Sequence, residues 1–254
     1  MVDWPAVSTP WSELTVSRDL RFPNLQNVRD LGGLPTRDGQ STRWGSLLRA
    51  DDLHHLTPAG LEALHDYGVA TVIDLRFPHE LTQFPTGYQP GDAPGRRYWN
   101  VSLLGPTAQA WDARTPNLPW DAWNRGVLDH AQPEMAAALR VIAAAPAAPL
   151  LFHCVAGKDR TGLIAALLLA LADVEPDAIA ADYEVSSQNL QARALAGQPE
   201  DQWPAIIASL SCPPHRIHAL LAHLDERYGG PVAYCTTIGL SQPEVRQLRA
   251  RLRD

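Results

Sequence analysis

The stretch His153-Cys154-Val155-Ala156-Gly157-Lys158-Asp159-Arg160-Thr161-Gly162 joins two apolar segments of different kind. Before it, Ala148-Pro149-Leu150-Leu151-Phe152 is short and reads as a buried strand. After it, Leu163-Ile164-Ala165-Ala166-Leu167-Leu168-Leu169-Ala170 is rich in Ala and Leu and reads as helix. The intervening residues therefore turn the chain from strand to helix. Backbone N–H groups of such a turn converge at a helix N-terminus, which makes an anion site. Thiols held there ionise more readily than free ones, and a guanidinium fork grips two oxygens of one anion. Cys154 opens the turn and Arg160 closes it. A nucleophile, a cradle formed by Val155, Ala156, Gly157, Lys158, Asp159 and Arg160, and a bidentate clamp thus share one loop.

A Cys that follows an apolar strand is ordinarily a small core residue. Here the strand, the helix, Gly157 and Gly162 in the turn, His153 before the Cys and Thr161 after the Arg occur together. That conjunction favours chemistry over packing.

The order His-Cys, five residues, Arg, Thr resembles the phosphate-binding loop of the cysteine-dependent protein tyrosine phosphatase superfamily. Its Gly-Lys-Asp-Arg-Thr version is similar to a bacterial branch of tyrosine and dual-specificity phosphatases, some of which also act on phosphoinositides. Asn27-Val28-Arg29-Asp30-Leu31-Gly32-Gly33, Asp74-Leu75-Arg76, Asp182-Tyr183, Tyr228-Gly229-Gly230 and Gly239-Leu240-Ser241 resemble the same branch, so the resemblance spans roughly residues 25 to 250. It implies an α/β fold, with a central mostly parallel sheet flanked by helices and a helical C-terminal half.

The implied reaction is hydrolysis of a phosphate monoester through a phosphocysteine on Cys154, with Arg160 holding the phosphoryl oxygens. Thr161 would hydrogen-bond the departing thiolate, and His153 would orient the loop. Lys158 would add positive charge for the phosphate or for a second anionic group. Asp74 and Asp159 compete as general acid, the resemblance favouring Asp74 slightly, and Asp112 and Asp121 stay open for that role. Arg76, Arg29 and Asp30 are expected as supporting polar partners. No metal and no cofactor is called for, because nucleophile, acid and clamp all come from the chain. The expected substrate is a phosphorylated protein (phosphotyrosine, phosphoserine or phosphothreonine) or a phosphoinositide. Two other classes remain: a rhodanese-like sulfurtransferase, whose Cys loop needs no closing Arg-Thr, and a phosphate-binding module without catalysis.

The rest of the chain fits one domain. With 254 residues, 45% of them hydrophobic and 19% charged, it has ample material for a core. A formal charge of −7 disfavours nucleic acid or a membrane surface as partner, yet a local cluster of cations and dipoles still holds a phosphate. Cys154, Cys212 and Cys235 are too widely spaced for a metal site, and they suggest a reducing, cytoplasmic setting. No apolar run is long enough for a transmembrane segment. Oligomeric state is not legible.

Residues 1–24 are expected as an irregular lead-in and residues 25–254 as the domain. Strands are expected over 42–50, 69–73 and 96–103, and helices over 57–68, 134–145, 176–184, 203–210 and 214–228, with a capping box at Ser241 opening the last helix. Asp74 and Arg76 stand at the C-terminal end of a strand, where open α/β sheets place their ligand crevices. Residues 105–134 carry Trp111, Trp120 and Trp123, and are equally open to being a lid or a helical insertion.

Overall fold

The structure, a computed structural model, describes residues 17–88, 95–114 and 118–253. Most of the expected lead-in, residues 1–16, and part of the turn-rich stretch after Leu81 therefore lie outside the described residues.

Five strands form one sheet: β1 (Arg29–Asp30), β2 (Leu47–Ala50), β3 (Thr71–Asp74), β4 (Arg97–Asn100) and β5 (Leu150–His153), in the order β1-β2-β5-β3-β4. Only the β1–β2 pair is antiparallel. The helices are α1 (Pro58–Asp66), α2 (Pro78–Gln83), α3 (Pro106–Arg114), α4 (Trp120–His130), α5 (Gln132–Ala144), α6 (Asp159–Leu171), α7 (Pro176–Asn189), α8 (Gln191–Leu195), α9 (Trp203–Leu210), α10 (His215–Tyr228), α11 (Pro231–Thr237) and α12 (Gln242–Leu252). The α/β architecture and the helical C-terminal half follow the reading of the sequence.

Alternation along the strands splits the core in two. Leu48, Ala50, Val72 and Leu151 join Leu53 and Leu64 on one side. Leu47, Ile73, Leu150 and Phe152 face the larger cluster built on α5, α6, α7, α10 and α12. Ten residues of α6 are buried, eight of them in that larger cluster, so the helix after the loop is core on nearly all sides. Local signals set several boundaries: Thr57 caps α1 through the N–H of Gly60, and Ser241 and Glu244 form the capping box of α12. The expected strand over 42–50 is confined to its last four residues, because the chain turns at Trp44 and Gly45, the latter at φ +67°.

The described part of residues 105–134 holds α3, α4 and the start of α5, and Trp111, Trp120 and Trp123 pack against the main core. The Trp123 indole donates to Asp112 at 2.7 Å, and Asp121 lies 3.8 Å from Arg125 one turn on.

The N-terminal block is locked to the helical half by a buried ion cluster. Asp182 of α7 is 1% exposed, accepts from Arg29 at 3.0 Å and Arg49 at 2.7 Å, and also pairs with Arg18. Burial alone would raise its pKa, but the three guanidinium groups hold it well below the carboxylate range. Burial and the nearby Arg49 in turn lower Arg29 to about 10. Because the Asp182 pKa is lower in the folded chain, its contribution is whole above about pH 4. It fades as pH falls further, toward the depressed folded value. Asp182→Asn leaves two buried cations uncompensated and is expected to lose about 3–5 kcal/mol at pH 7. In urea unfolding, the gap between wild type and variant should narrow once the pH drops below about 4.

Candidate active site

Strand β5 sits at the centre of the sheet, and its register puts Ala50, His153, Asp74 and Asn100 in a row across the C-terminal edge. The loop from Cys154 to Lys158 leaves from that edge and enters α6. Its carbonyl oxygens are taken from outside. Asp52 N–H donates to the Val155 carbonyl at 2.8 Å, and the Asn27 amide donates to Ala156 at 2.9 Å and Gly157 at 3.3 Å. Arg49 Nη2 donates to Gly157 at 2.8 Å, and Gly162 N–H donates to Lys158 at 2.8 Å. With the oxygens turned outward, the N–H groups of Val155 to Arg160 meet no protein acceptor among the described residues. Gly157 makes the turn possible: its φ is +63°, and a Cβ there would stand 2.2 Å from the Ala50 carbonyl oxygen.

Cys154 lies deep in this loop, 2% exposed. Arg160 is steered by a residue of α2: burial lowers its pKa, but the hydrogen bonds to Glu80 and the surrounding negative charge raise it above the usual value. Glu80 accepts from Arg160 Nη1 at 2.6 Å and Nη2 at 2.8 Å, and the Phe77 ring lies 4.7 Å beneath the guanidinium carbon. Glu80 is itself held by the Phe77 N–H at 2.7 Å. Burial raises its pKa, but Arg160 and that N–H outweigh it and keep the carboxylate charged. A guanidinium has five N–H donors, of which Glu80 takes two, leaving three for an anion.

The two candidate acids sit in opposite surroundings. Asp74 is 0% exposed and spends both oxygens on neighbours: Arg76 Nη2 at 2.7 Å, Arg76 Nε at 3.0 Å, the Arg76 N–H at 3.0 Å and the Tyr98 hydroxyl at 2.9 Å. Burial raises its pKa, but His153 and Arg76 pull it below the carboxylate range. Asp159, the first residue of α6, keeps 34% of its side chain exposed at the rim. Arg76 is fully buried and ties Asp74 to Asp52 at 2.8 Å and to the Phe84 carbonyl at 2.9 Å.

The remaining expected residues take distinct positions. His153 is buried beneath the loop, with Nδ1 3.0 Å from the Cys154 carbonyl oxygen and Nε2 3.4 Å from Asp74. Lys158 does not point into the cradle: its ammonium donates to the Ser209 carbonyl of α9 at 2.9 Å. The Thr161 hydroxyl is buried with no hydrogen-bond partner among the described residues, so its expected bond to the sulfur is not made in this conformation. Arg29 braces the loop through Asn27 Oδ1, 2.6 Å away. Asp30 serves elsewhere, accepting from Gly32 and Gly45 N–H and from the Tyr67 hydroxyl at 2.8, 2.7 and 2.9 Å.

Four residues of this arrangement were not singled out in the sequence. Asn27 belongs to the quoted Asn-x-Arg-Asp block, and Asp182 to the quoted Asp-Tyr pair, so a signal existed for both. Arg49, at the end of an apolar strand, and Glu80, one helix turn after Asp74-Leu75-Arg76, carried no local mark of their partners 108 and 80 residues away.

Residues 20–254 match the profile of the tyrosine phosphatase family, and the chain belongs to that family. It is 34% identical over 224 residues to a tyrosine-protein phosphatase of Nostoc commune, covering 82% of this chain and 74% of that one. It is 26% identical over 275 residues to the triple specificity protein phosphatase PtpB of Mycobacterium tuberculosis, covering 91% and 98%. Among solved structures, TpbA of P. aeruginosa aligns with 19% identity over 70% of this chain and 87% of its own, at a TM-score of 0.32, a likeness too slight to carry weight. Among the described residues no helix is long and apolar enough to cross a membrane.

If the loop is an anion cradle, inorganic phosphate or vanadate should raise the melting temperature. Gly157→Ala forces a side chain against the Ala50 backbone in a left-handed conformation, at a cost of about 2–4 kcal/mol. The variant should melt lower and gain nothing from added anion in a thermal-shift titration.

Proposed function

We propose that the protein hydrolyses aryl phosphate monoesters, phosphotyrosine above all, through a phosphocysteine on Cys154. The observation that carries this reading is the anchoring of the loop carbonyls by outside donors, which leaves the N–H groups of Val155 to Arg160 without a protein acceptor among the described residues. A phosphoryl group seated there meets those dipoles and the free edge of Arg160 while charge shifts among its equatorial oxygens. The thiolate sulfur bonds to phosphorus as the bond to the leaving oxygen breaks. Asp159 gives that oxygen its proton, then takes one from the water that cleaves the phosphorus–sulfur bond and restores the thiolate.

Asp159 is preferred to Asp74 on physical grounds. Asp74 is sealed from solvent, held ionised, and shared between Arg76 and Tyr98, so it has no proton to give and no path to a leaving group. Its role in this reading is to fix Arg76 and, beside His153, the floor of the loop. This reverses the preference drawn from resemblance.

A cleft of about 310 Å³ opens beside Val155 and Ala156, between His54, Phe84 and Leu190. Val155 and Phe84 are each 42% exposed there, which suits a ring or an apolar side chain next to the phosphate. Its Arg193 is already paired with Asp51 at 2.9 Å, so a multiply phosphorylated inositol headgroup finds little counter-charge. A phosphotyrosine peptide is the better fit, with phosphoinositides and phosphoserine as the comparison substrates.

Purified protein is expected to hydrolyse p-nitrophenyl phosphate and phosphotyrosine peptides in excess chelator. Cys154→Ser should reduce turnover by at least about 10⁴-fold while phosphate still raises the melting temperature. Turnover surviving in Cys154→Ser, or abolished by the chelator, would contradict the mechanism. A higher kcat/KM for phosphoinositides than for phosphotyrosine peptides would overturn the substrate assignment alone.

A further inference from the structure

The Asp159 carboxylate is approached by three side chains, and all three address the same oxygen. Trp120 of α4 donates its indole N–H to Oδ1, the Tyr183 hydroxyl of α7 stands 3.5 Å from Oδ1, and the Lys158 ammonium stands 3.9 Å from it. Oδ2 has no hydrogen-bond or ion-pair partner among the described residues. A carboxyl group whose one oxygen accepts from fixed donors carries its proton on the other.

The indole is itself immobilised. The guanidinium carbon of Arg216, from α10, lies 4.8 Å over its ring, and the Tyr183 ring packs at 5.1 Å on a tilt of 42°. Arg216 is anchored in turn by the Ser211 carbonyl at 2.7 Å, and the Trp120 carbonyl accepts from the buried Asn124 amide at 2.9 Å. Helices α4 and α7 thus meet at one oxygen of Asp159, with α10 bracing the indole through Arg216.

From this geometry, and resting on the reading of Asp159 as general acid, we infer that Trp120 is a positioning residue. Its N–H holds Oδ1 so that Oδ2 presents the proton to the leaving oxygen. The segment that carries Trp120 therefore completes the acid without touching the phosphate. Proton delivery matters in proportion to how poor the leaving group is, since a stabilised phenolate departs unaided. Loss of the indole N–H should weaken that delivery and leave phosphate binding alone.

The test compares kcat/KM across aryl phosphates of rising leaving-group pKa, from 2,4-dinitrophenyl to phenyl phosphate, for wild type, Trp120→Phe, Asp159→Asn and the double variant. Trp120→Phe is expected to lose about tenfold on phenyl phosphate and less than about twofold on the dinitrophenyl ester. Inhibition by inorganic phosphate should be unchanged, and the double variant should be no worse than Asp159→Asn. Equal losses on every ester, or none, would show that Trp120 only packs. If Asp159→Asn itself shows no dependence on the leaving group, the acid assignment falls and the inference with it. If Asp159→Asn shows that dependence and Trp120→Phe does not, the inference falls alone. Should Trp120→Phe not fold, 3-benzothienylalanine at position 120 keeps the ring shape without the N–H and is judged by the same series.

Discussion

A loop can gather five or six amide N–H groups around one point only if the carbonyl oxygens of the same peptides face the other way, and each of those oxygens must find a donor. Here the donors are the Asn27 amide, the Arg49 guanidinium and the Asp52 N–H, all from the N-terminal part of the chain. Those donors need holding in place as well. Asp182 does this for Arg49 directly and for Asn27 through Arg29, so a carboxylate on α7 governs a loop it never touches. The cradle is the innermost layer of a polar network with few loose ends.

That arrangement explains why so many charged groups are buried in a protein of ordinary composition. Arg29, Arg49, Arg76, Asp74 and Asp182 are each at most 1% exposed. Such groups stabilise poorly compared with apolar packing and become costly when one partner is lost. Their value lies in geometry. Each ion pair fixes the rotamer of a residue that then supports the loop, as Glu80 fixes Arg160 and Arg76 fixes Asp74. Burial alone would favour the neutral acids, and these partners more than offset it and hold the carboxylates charged.

The Trp-rich segment shows how an insertion can join a site from one side. Its helices α3 and α4 pack their tryptophans on the main core, yet Trp120 also reaches the rim and meets Asp159. Phe84 and Val155 leave apolar surface exposed in the cleft beside the loop. In the proposed reading the loop supplies charge complementarity to a phosphate, while the surrounding elements set what is attached to it.

Local patterns settled a good deal. The strand–loop–helix passage around Cys154, the caps at Thr57 and Ser241, the α/β order and the amphipathic helix over residues 214–228 all rest on residues close in the chain. Their physical causes, side-chain period and backbone capping, act within a few positions and can be read there. Partners far apart in sequence could not be read in that way. Asp74 and Asp159 look alike as residues; only the packing shows that one is sealed against Arg76 while the other stands at the rim. Lys158 looked like a phosphate ligand until the fold brought the Ser209 carbonyl beside it. Which carboxylate faces solvent, and which arginine finds which acid, depends on how strands and helices distant in the chain are brought together, and that was decided by the tertiary structure alone.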